Sequence, residues 1–429
     1  MNAMAVSGII FVAALVLILT ERVHRTIVAM VGAVAMVALG MGRGFYSQEK
    51  ALAAVDFNTL GLLFGMMVMV SILGKTGFFE YLAIVTAKRS GGSPWRLFVF
   101  LGTVTTVASL FLDNVTTVVL IAPVTLLIAE ILGINPIPFL MAEALLSNTG
   151  GVATLVGDPP NIMIGSAANL SFSDFPTHLG PLVFVAWLVV LLVLGFIFRR
   201  ELSQKPRDIE ALMKLDEREA LHNPGAMRRV LLVLGGVILL FFGHHRFHLT
   251  PAFIAMAGAG VALLWVRPDV DEILHGVEWS VLVFFAALFV LVGGLESSGL
   301  LGLVGGGITG PARYNLLLTS VAFIWIGAIV SAVVGNIPFT MIMIPMVQGL
   351  GVEGVNVAPL WWALALGAGF GGNGTPIASA ASVIVVTFSE KTKSPITFRT
   401  WIRSGTLAML TACFVTTILF VLTFGYMSR

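Results

Sequence analysis

The feature that most constrains this chain is a series of apolar stretches recurring along its whole length. Runs 5–20, 26–40, 181–198, 230–243 and 405–424 are almost free of charge, and a helix needs roughly 17–25 such residues to cross a bilayer. Only 11% of the 429 residues are charged and 58% are hydrophobic, against about 25% charged in an ordinary soluble domain. Mean hydropathy is +0.99. Surface of this kind has no home but lipid. Open sheets are excluded because their edge amides would go unpaired in hydrocarbon, and the runs lack the alternation of barrel strands. The expected fold class is therefore an all-α polytopic membrane protein. The first run has no positive residue before it and is followed by more apolar segments, so it reads as a helix and not as a cleaved signal peptide. The net charge of +2 is too small to argue for nucleic acid, and Cys413 is the only cysteine, read as a small core residue.

Orientation follows from Lys and Arg, which gather on the cytoplasmic side. With the N-terminus outside and each run crossing once, except two long runs treated as hairpins, 19 of the 24 positive residues fall inside and 5 outside. The inside set holds Arg22, Arg25, Lys75, Lys88, Arg267, Lys393 and the charged linker 199–229; the outside set is Arg43, Lys50, Arg246, Arg313 and Arg429. The expectation is a multi-pass inner-membrane protein with both termini outside and the linker cytoplasmic.

The chain also repeats itself. Segment 64–79 resembles 286–301, with Gly77 matching Gly299 at an offset of 222, and at that offset Asn114 in FLDNVTT falls on Asn336 in VVGNIPFT. One residue of slippage later, GGVATLVGDPPN (150–161) aligns with GGNGTPIASAAS (371–382). The expected organisation is a first repeat 1–198, the linker 199–229 and a second repeat 230–429. An odd number of full crossings in each half, five, gives the copies opposite orientation, a plan found in many secondary transporters. In total this makes about ten full transmembrane helices plus two re-entrant hairpins.

Each half is interrupted twice by polar residues. Segments 97–133 and 315–349 are too long for one crossing and carry polar residues near the middle, so each is expected to enter, turn and leave. Asp113, Asn114, Thr116 and Thr117 mark one tip, and Asn336, Pro338 and Thr340 the other. Segments 136–165 and 359–388 are expected to be helices broken at the midplane, by Gly150, Gly151, Pro159 and Pro160 in one half and by 371–376 in the other. The bland alternative for Asn114, Asn336 and Asp158 is helix capping; Ser379, aligned with Asp158, is also a capping type. The functional alternative is convergence, because half-helix ends offer amides to anions and hydroxyls, and carbonyls to cations.

Few of the 22 acids fall within apolar segments. Asp113 and Asp158 sit at interruptions, and Glu143 lies four residues before Ser147, on the same helical face and within reach of its hydroxyl. Carboxyls in hydrocarbon are functional candidates, so Asp113, Asp158 or Glu143 is expected to carry a coupling proton or bind a cation. No Lys or Arg lies in the interrupted segments, which favours a neutral hydroxylated substrate or a cation over a dicarboxylate. His244, His245 and His248 have no acidic partner nearby and read as loop residues, not a metal site. GGGITG (305–310) lacks the strand and Lys-Ser/Thr of a phosphate loop. No nucleophile–base pair is visible, so neither an enzyme nor a self-contained ATP-driven pump is expected, and no cofactor is called for.

With these motifs together, the chain resembles the ion transporter superfamily, and within it the ArsB/NhaD permeases, which include arsenite efflux pumps, sodium/proton antiporters and the melanosomal P protein. FLDNVTT, SNTGGVATLVGDPPN, VVGNIPFT and GGNGTPIASAAS carry the likeness, which spans essentially the full chain. The resemblance implies a scaffold domain, a mobile transport domain with two hairpins, and often a homodimer moving by an elevator-like step. Carried over by motif, the substrate-binding candidates are Asn114, Thr116, Thr117, Asn148, Thr149, Asn336, Thr340, Asn373 and Thr375. The implied function is arsenite or antimonite efflux coupled to proton influx. Arsenite near neutral pH is an uncharged trihydroxide that suits Asn, Thr and helix ends. Sodium/proton exchange is the alternative, with a channel or another anion permease less favoured. The resemblance also permits a soluble ATPase subunit.

Overall fold

The computed structural model describes residues 2–19, 23–112, 114–392 and 395–428, with the backbone alone described at 19, 244–246 and 304–309. Asp113, Arg22, Lys393 and Arg429, and the side chains of His244, His245 and Arg246, lie outside this description. The chain is all-helical, with no strand among the described residues.

The first half runs α1 (Ala3–Leu19), α2 (Arg25–Arg43), α3 (Gln48–Ala54), α4 (Phe57–Lys75), α5 (Phe78–Ser90), α6 (Pro94–Ser109), α7 (Asn114–Leu132), α8 (Ile137–Gly151), α9 (Pro159–Ala168), α10 (Asp174–His178) and α11 (Gly180–Ile197). A linker carries the short α12 (Ile209–Lys214). The second half then runs α13 (Pro224–Phe247), α14 (Pro251–Val266), α15 (Val270–His275), α16 (Trp279–Ser297), α17 (Leu300–Tyr314), α18 (Leu316–Val334), α19 (Asn336–Val352), α20 (Ala358–Gly371), α21 (Ala380–Glu390), α22 (Phe398–Trp401), α23 (Leu407–Leu422) and α24 (Phe424–Met427). Eight helices among the described residues are long and apolar enough to cross a membrane, the last of them being α22 and α23 together (Phe398–Leu422). Shorter apolar helices include α1, α14, α19, α20 and α21.

The element order of 3–197 recurs in 224–422, down to single turns. Gly77 between α4 and α5 has φ +79°, and Gly299 between α16 and α17 has φ +81°. Both turns need the left-handed region that glycine enters without a Cβ penalty. Packing is reciprocal in the same way: α4 lies on α14 and α2 on α16, α7 on α21 and α19 on α9, and α11 on α23. Close approach is bought by small residues, as is common between membrane helices. A Cβ at Gly65 would lie 2.5 Å from the Ala255 carbonyl carbon, and one at Gly367 2.8 Å from Ile324 O.

The helices sort into two groups. A frame of α1, α2, α4, α13, α14 and α16 packs on itself, and a core of α6–α9, α11, α18–α21 and α23 packs on itself. Contact between them is light, through α16 on α19, α4 on α7 and α9, and α1 on α18. Helices α5 and α17 are covalent bridges within the two halves, α5 resting on α6 and α7, and α17 chiefly on α19, and the linker is a third between core helix α11 and frame helix α13.

Candidate functional site

The site lies in the core, where the interruptions converge. Helices α6 and α7 meet at a tip beside residue 113, and α18 and α19 meet at Gly335. Gly335 has φ +96° and ψ 147°, a combination open essentially to glycine alone. Opposite the tips, α8 stops at Gly151 and α9 begins at Pro159, while α20 stops at Gly371 and α21 begins at Ala380.

Matching side chains fasten each tip to the break of its own half. Thr154 Oγ1 donates to Leu110 O and Thr375 Oγ1 to Ala332 O (2.6 Å). Ser109 Oγ donates to Ser147 O (3.4 Å) and Ser331 Oγ to Ala368 O (2.8 Å). Thr340 Oγ1 donates back to Asn336 O (2.7 Å). Thr340 and Thr375, expected as ligands, thus spend their hydroxyl hydrogens on backbone carbonyls, Thr340 within its own helix and Thr375 in holding the tip to the break.

Asn148 is the hub. Its Oδ1 accepts from Asn114 Nδ2 (2.9 Å), and its Nδ2 faces Ser379 Oγ (2.9 Å), Asn373 Oδ1 (3.1 Å), Gly372 O (3.4 Å) and Ser382 Oγ (3.5 Å). Asn373 Nδ2 donates to Thr149 Oγ1 (2.8 Å) and Leu145 O (3.1 Å). An amide nitrogen has only two hydrogens, so four oxygens compete for the two on Asn148. The buried cluster is richer in acceptors than in donors. That suits a guest that brings hydroxyl hydrogens, or a cation.

The second tip meets the only carboxylate seen to touch either tip among the described residues: Asn336 Nδ2 donates to Asp158 Oδ1 (3.2 Å). Asp158 makes no capping bond to α9, whereas Ser379 at the matching place caps α21 through Ser382 N (3.2 Å). The capping alternative therefore holds for Ser379 and fails for Asp158. The repeat explains the difference. Position 369 matches 148, and its glycine leaves room for Val152 and for the carboxylate, since a Cβ there would lie 2.3 Å from Val152 Cγ2 and 3.1 Å from Asp158 Oδ2. One half pairs a long Asn with a short Ser; the other pairs no side chain with a longer Asp.

Other expectations fare differently. Glu143 is fully buried but does not bond Ser147, whose Oγ donates to Ala144 O (3.1 Å). The Glu143 partner is the Thr125 hydroxyl on α7, and its Oε2 has no hydrogen-bond partner. Facing α7 places it behind the cluster, because one turn along a helix brings residues onto one face without fixing which neighbour that face meets. Thr116 is half-buried and Thr117 buried on the first turn of α7. Asp113 lies outside the described residues. GGGITG falls within helix α17.

Two contributors escaped sequence reasoning. One is a π turn at 402–406 between α22 and α23. Trp401 Nε1 donates to Asn373 O (3.1 Å) and Thr406 Oγ1 to Gly374 O (2.7 Å), so this turn clamps the break before α21. The other is a cavity of about 380 Å³ between frame and core, which runs from His24, Arg25 and Glu278 down to Asn336 and Ser379. No Lys or Arg sits in the interrupted segments, yet Arg25, its guanidinium 5.5 Å from the centre of the Phe284 ring, stands in the wall that leads to them. A second cavity, of about 430 Å³, lies at the matching place in the other half, lined by Asn58, Leu62, Ile162 and His248. Asn58 and Leu62 correspond to Ser280 and Phe284 of the first cavity. It stops at Leu155 and Ile162 and reaches neither tip.

Comparison with known proteins agrees with this architecture. Residues 15–367 match the family CitMHS, described as citrate transporters. An uncharacterised transporter of Mycobacterium tuberculosis is 42% identical over 419 residues, 96% of each chain. The human P protein is 32% identical over 484 residues, covering 93% of this chain and 57% of that protein. The crystal structure of the Alcanivorax borkumensis YdaH transporter, noted for an unusual topology, is similar with a TM-score of 0.58 at 16% identity, over 98% of both chains. At that identity the likeness is one of fold.

Proposed function

This chain is a membrane transporter of the CitMHS citrate transporter family, and we propose that it is a secondary carrier working by alternating access, with its solute held at the two hairpin tips. The observation that carries this reading is the pair of matching cavities between frame and core, of which one reaches Asn336 and Ser379 and the other stops short. A channel needs a path open to both faces at once. Two half-paths that the repeat makes interchangeable suit a core that slides against its frame, as in an elevator. By the distribution of Lys and Arg, the open cavity faces the cytoplasm of an inner-membrane carrier.

The acceptor-rich cluster of Asn114, Asn148, Asn373, Ser379 and Ser382 supports a small neutral solute rich in hydroxyls, arsenite or antimonite, exported against protons. Asp158 is the group best placed to carry the coupling proton or to bind sodium in its stead. A second reading has its own observation. Arg25 and His24 in the cavity wall, with the family's description, favour a citrate-like carboxylate.

Proteoliposomes holding an internal pH dye separate these readings. Proton movement on adding arsenite or antimonite, lost in Asn114→Ala and Asn336→Ala, supports metalloid/proton exchange. Movement with citrate that is lost in Arg25→Gln supports the carboxylate. Movement with sodium or lithium alone assigns cation/proton exchange, with Asp113 and Asp158 as the leading cation ligands. Silence with all of them, in vesicles shown to hold folded protein, removes these solutes from the reading.

A further inference from the structure

The linker between the halves does not hang free. It lies over three turns built on glycines of positive φ: Gly77 (+79°), Gly92 (+74°) and Gly133 (+62°). A Cβ on Gly77 would lie 1.7 Å from Ala220 O, one on Gly92 2.9 Å from Ile209 Cγ1, and one on Gly133 2.8 Å from Arg207 Cδ. Backbone bonds complete the seat: Arg207 N donates to Leu132 O (2.8 Å) and His222 N to Thr76 O (3.0 Å). Lys88 on α5 donates to Leu215 O (3.0 Å) and pairs with Glu217. Leu212 of α12 is fully buried against this surface.

The placement matters because of what it spans. Residues 207–217 sit on α5 and the end of α7, which go with the core, and 220–222 sit on the joint where frame helix α4 turns into α5. From there the chain enters frame helix α13. The matching joint at Gly299 is covered by frame helix α1 and not by a linker: Ser7 Oγ and Ser298 Oγ share a hydrogen bond (2.7 Å), and a Cβ on Gly299 would lie 3.3 Å from the flexible end of Met4. Of two joints that must flex together when the core moves, one is held by a frame helix and the other by a segment that also grips α5 and the end of α7. Unequal bracing of interchangeable halves makes their two end states unequal in energy.

We infer that the linker is a strap, docked across the α4–α5 joint through Arg207, Leu215, Glu217 and His222, that holds the carrier in the state whose linker-side cavity is open. This rests on the alternating-access reading above. The chain's one cysteine is buried, so single reporters can be placed at the matching positions Ser280→Cys and Asn58→Cys, one in each cavity wall. The test is the rate of maleimide labelling in nanodiscs, where both faces are reachable. With the strap intact, position 280 labels faster than position 58. Replacing 205–221 by a Gly/Ser segment of equal length lowers that ratio severalfold, and Gly77→Ala does the same. Gly299→Ala, which shares the backbone strain but meets no linker, leaves it unchanged. An unchanged ratio after both linker replacement and Gly77→Ala overturns the strap. Reciprocal changes on adding arsenite, citrate or sodium, with none in the strap variants, sink the strap alone. No reciprocal change under any of these conditions sinks alternating access and the strap with it.

Discussion

Asn148 bonds Asn114 from one tip and Ser379 and Asn373 from the facing break, so it ties three elements at a buried position. Replacing it by Ala leaves buried amide atoms of Asn114 and Asn373 without partners, at about 1–3 kcal/mol for each. The expected result is a lowered melting temperature in detergent together with loss of transport; a variant as stable and active as the parent contradicts the assignment. Glu143 and Thr125 allow a cleaner test, because the repeat places Leu364 and Val347 at their counterparts. Thr125→Val alone strands a buried carboxyl and is expected to cost about 1–3 kcal/mol. Thr125→Val with Glu143→Leu copies the other half and is expected to restore stability, since replacing both partners by apolar groups is often nearly neutral. A double-mutant cycle by thermal unfolding checks the coupling. If the double variant also keeps its solute-driven proton movement, Glu143 is structural and coupling falls to Asp158 or Asp113. Sequence alone made Asn114 and Asn336 legible, because they recur at one offset. It left Asp158 open, since an N-cap and a tip ligand want the same carboxylate. Arg25 was illegible as a wall residue because its neighbours in the cavity come from the distant α16, α19 and α21.

At the scale of elements, the interruptions were legible because Gly and Pro write them directly into the chain, and the breaks at 151–159 and 371–380 fall where those residues cluster. Run length was less informative. The hairpin arms α7 and α18 have 19 residues each, about 28 Å of helix, as long as a full crossing. Only their contacts with the breaks locate their tips. The π turn at 402–406 had no sequence mark at all: it is imposed by packing, where Gly405 passes so close that a Cβ would lie 2.5 Å from Asn373 O. Such turns are frequent at functional sites. The crossing of α18 on α20 rests on Gly327 and Gly367, whose backbones nearly touch. Gly367→Leu forces those helices apart and is expected to cost at least the roughly 1–3 kcal/mol typical of overpacking. Detergent thermal stability reads that loss, while Gly260→Leu, at a position with open space around it, is expected to be tolerated.

Across the whole molecule, the repeat produces a frame, a core and two matching cavities, and the linker makes the halves unequal. Hydrogen bonding from Lys88 is the chief reason that the Glu217 carboxyl is held below the usual carboxylate range. A carboxyl lowered on folding contributes stability above its ordinary range and loses it only as pH falls through the lowered value. The Glu217 contact is therefore expected to persist at neutral pH, and the labelling ratio of Ser280→Cys to Asn58→Cys should not vary from about pH 6 to 8 on its account. A steep change there that Glu217→Gln abolishes contradicts this. The repeat and the all-helical plan were visible in the residues; the light contact between frame and core was not, because it depends on which helix faces pack.

Counterflow tests the central claim most directly. Proteoliposomes are loaded with a high concentration of whichever solute moves protons, and uptake of its labelled form is followed from a dilute outside solution. Alternating access at the paired tips predicts transient accumulation above equilibrium, lost in both Asn114→Ala and Asn336→Ala. Uptake that only equilibrates, rises linearly with outside concentration and ignores the internal solute would contradict a carrier and leave a pore.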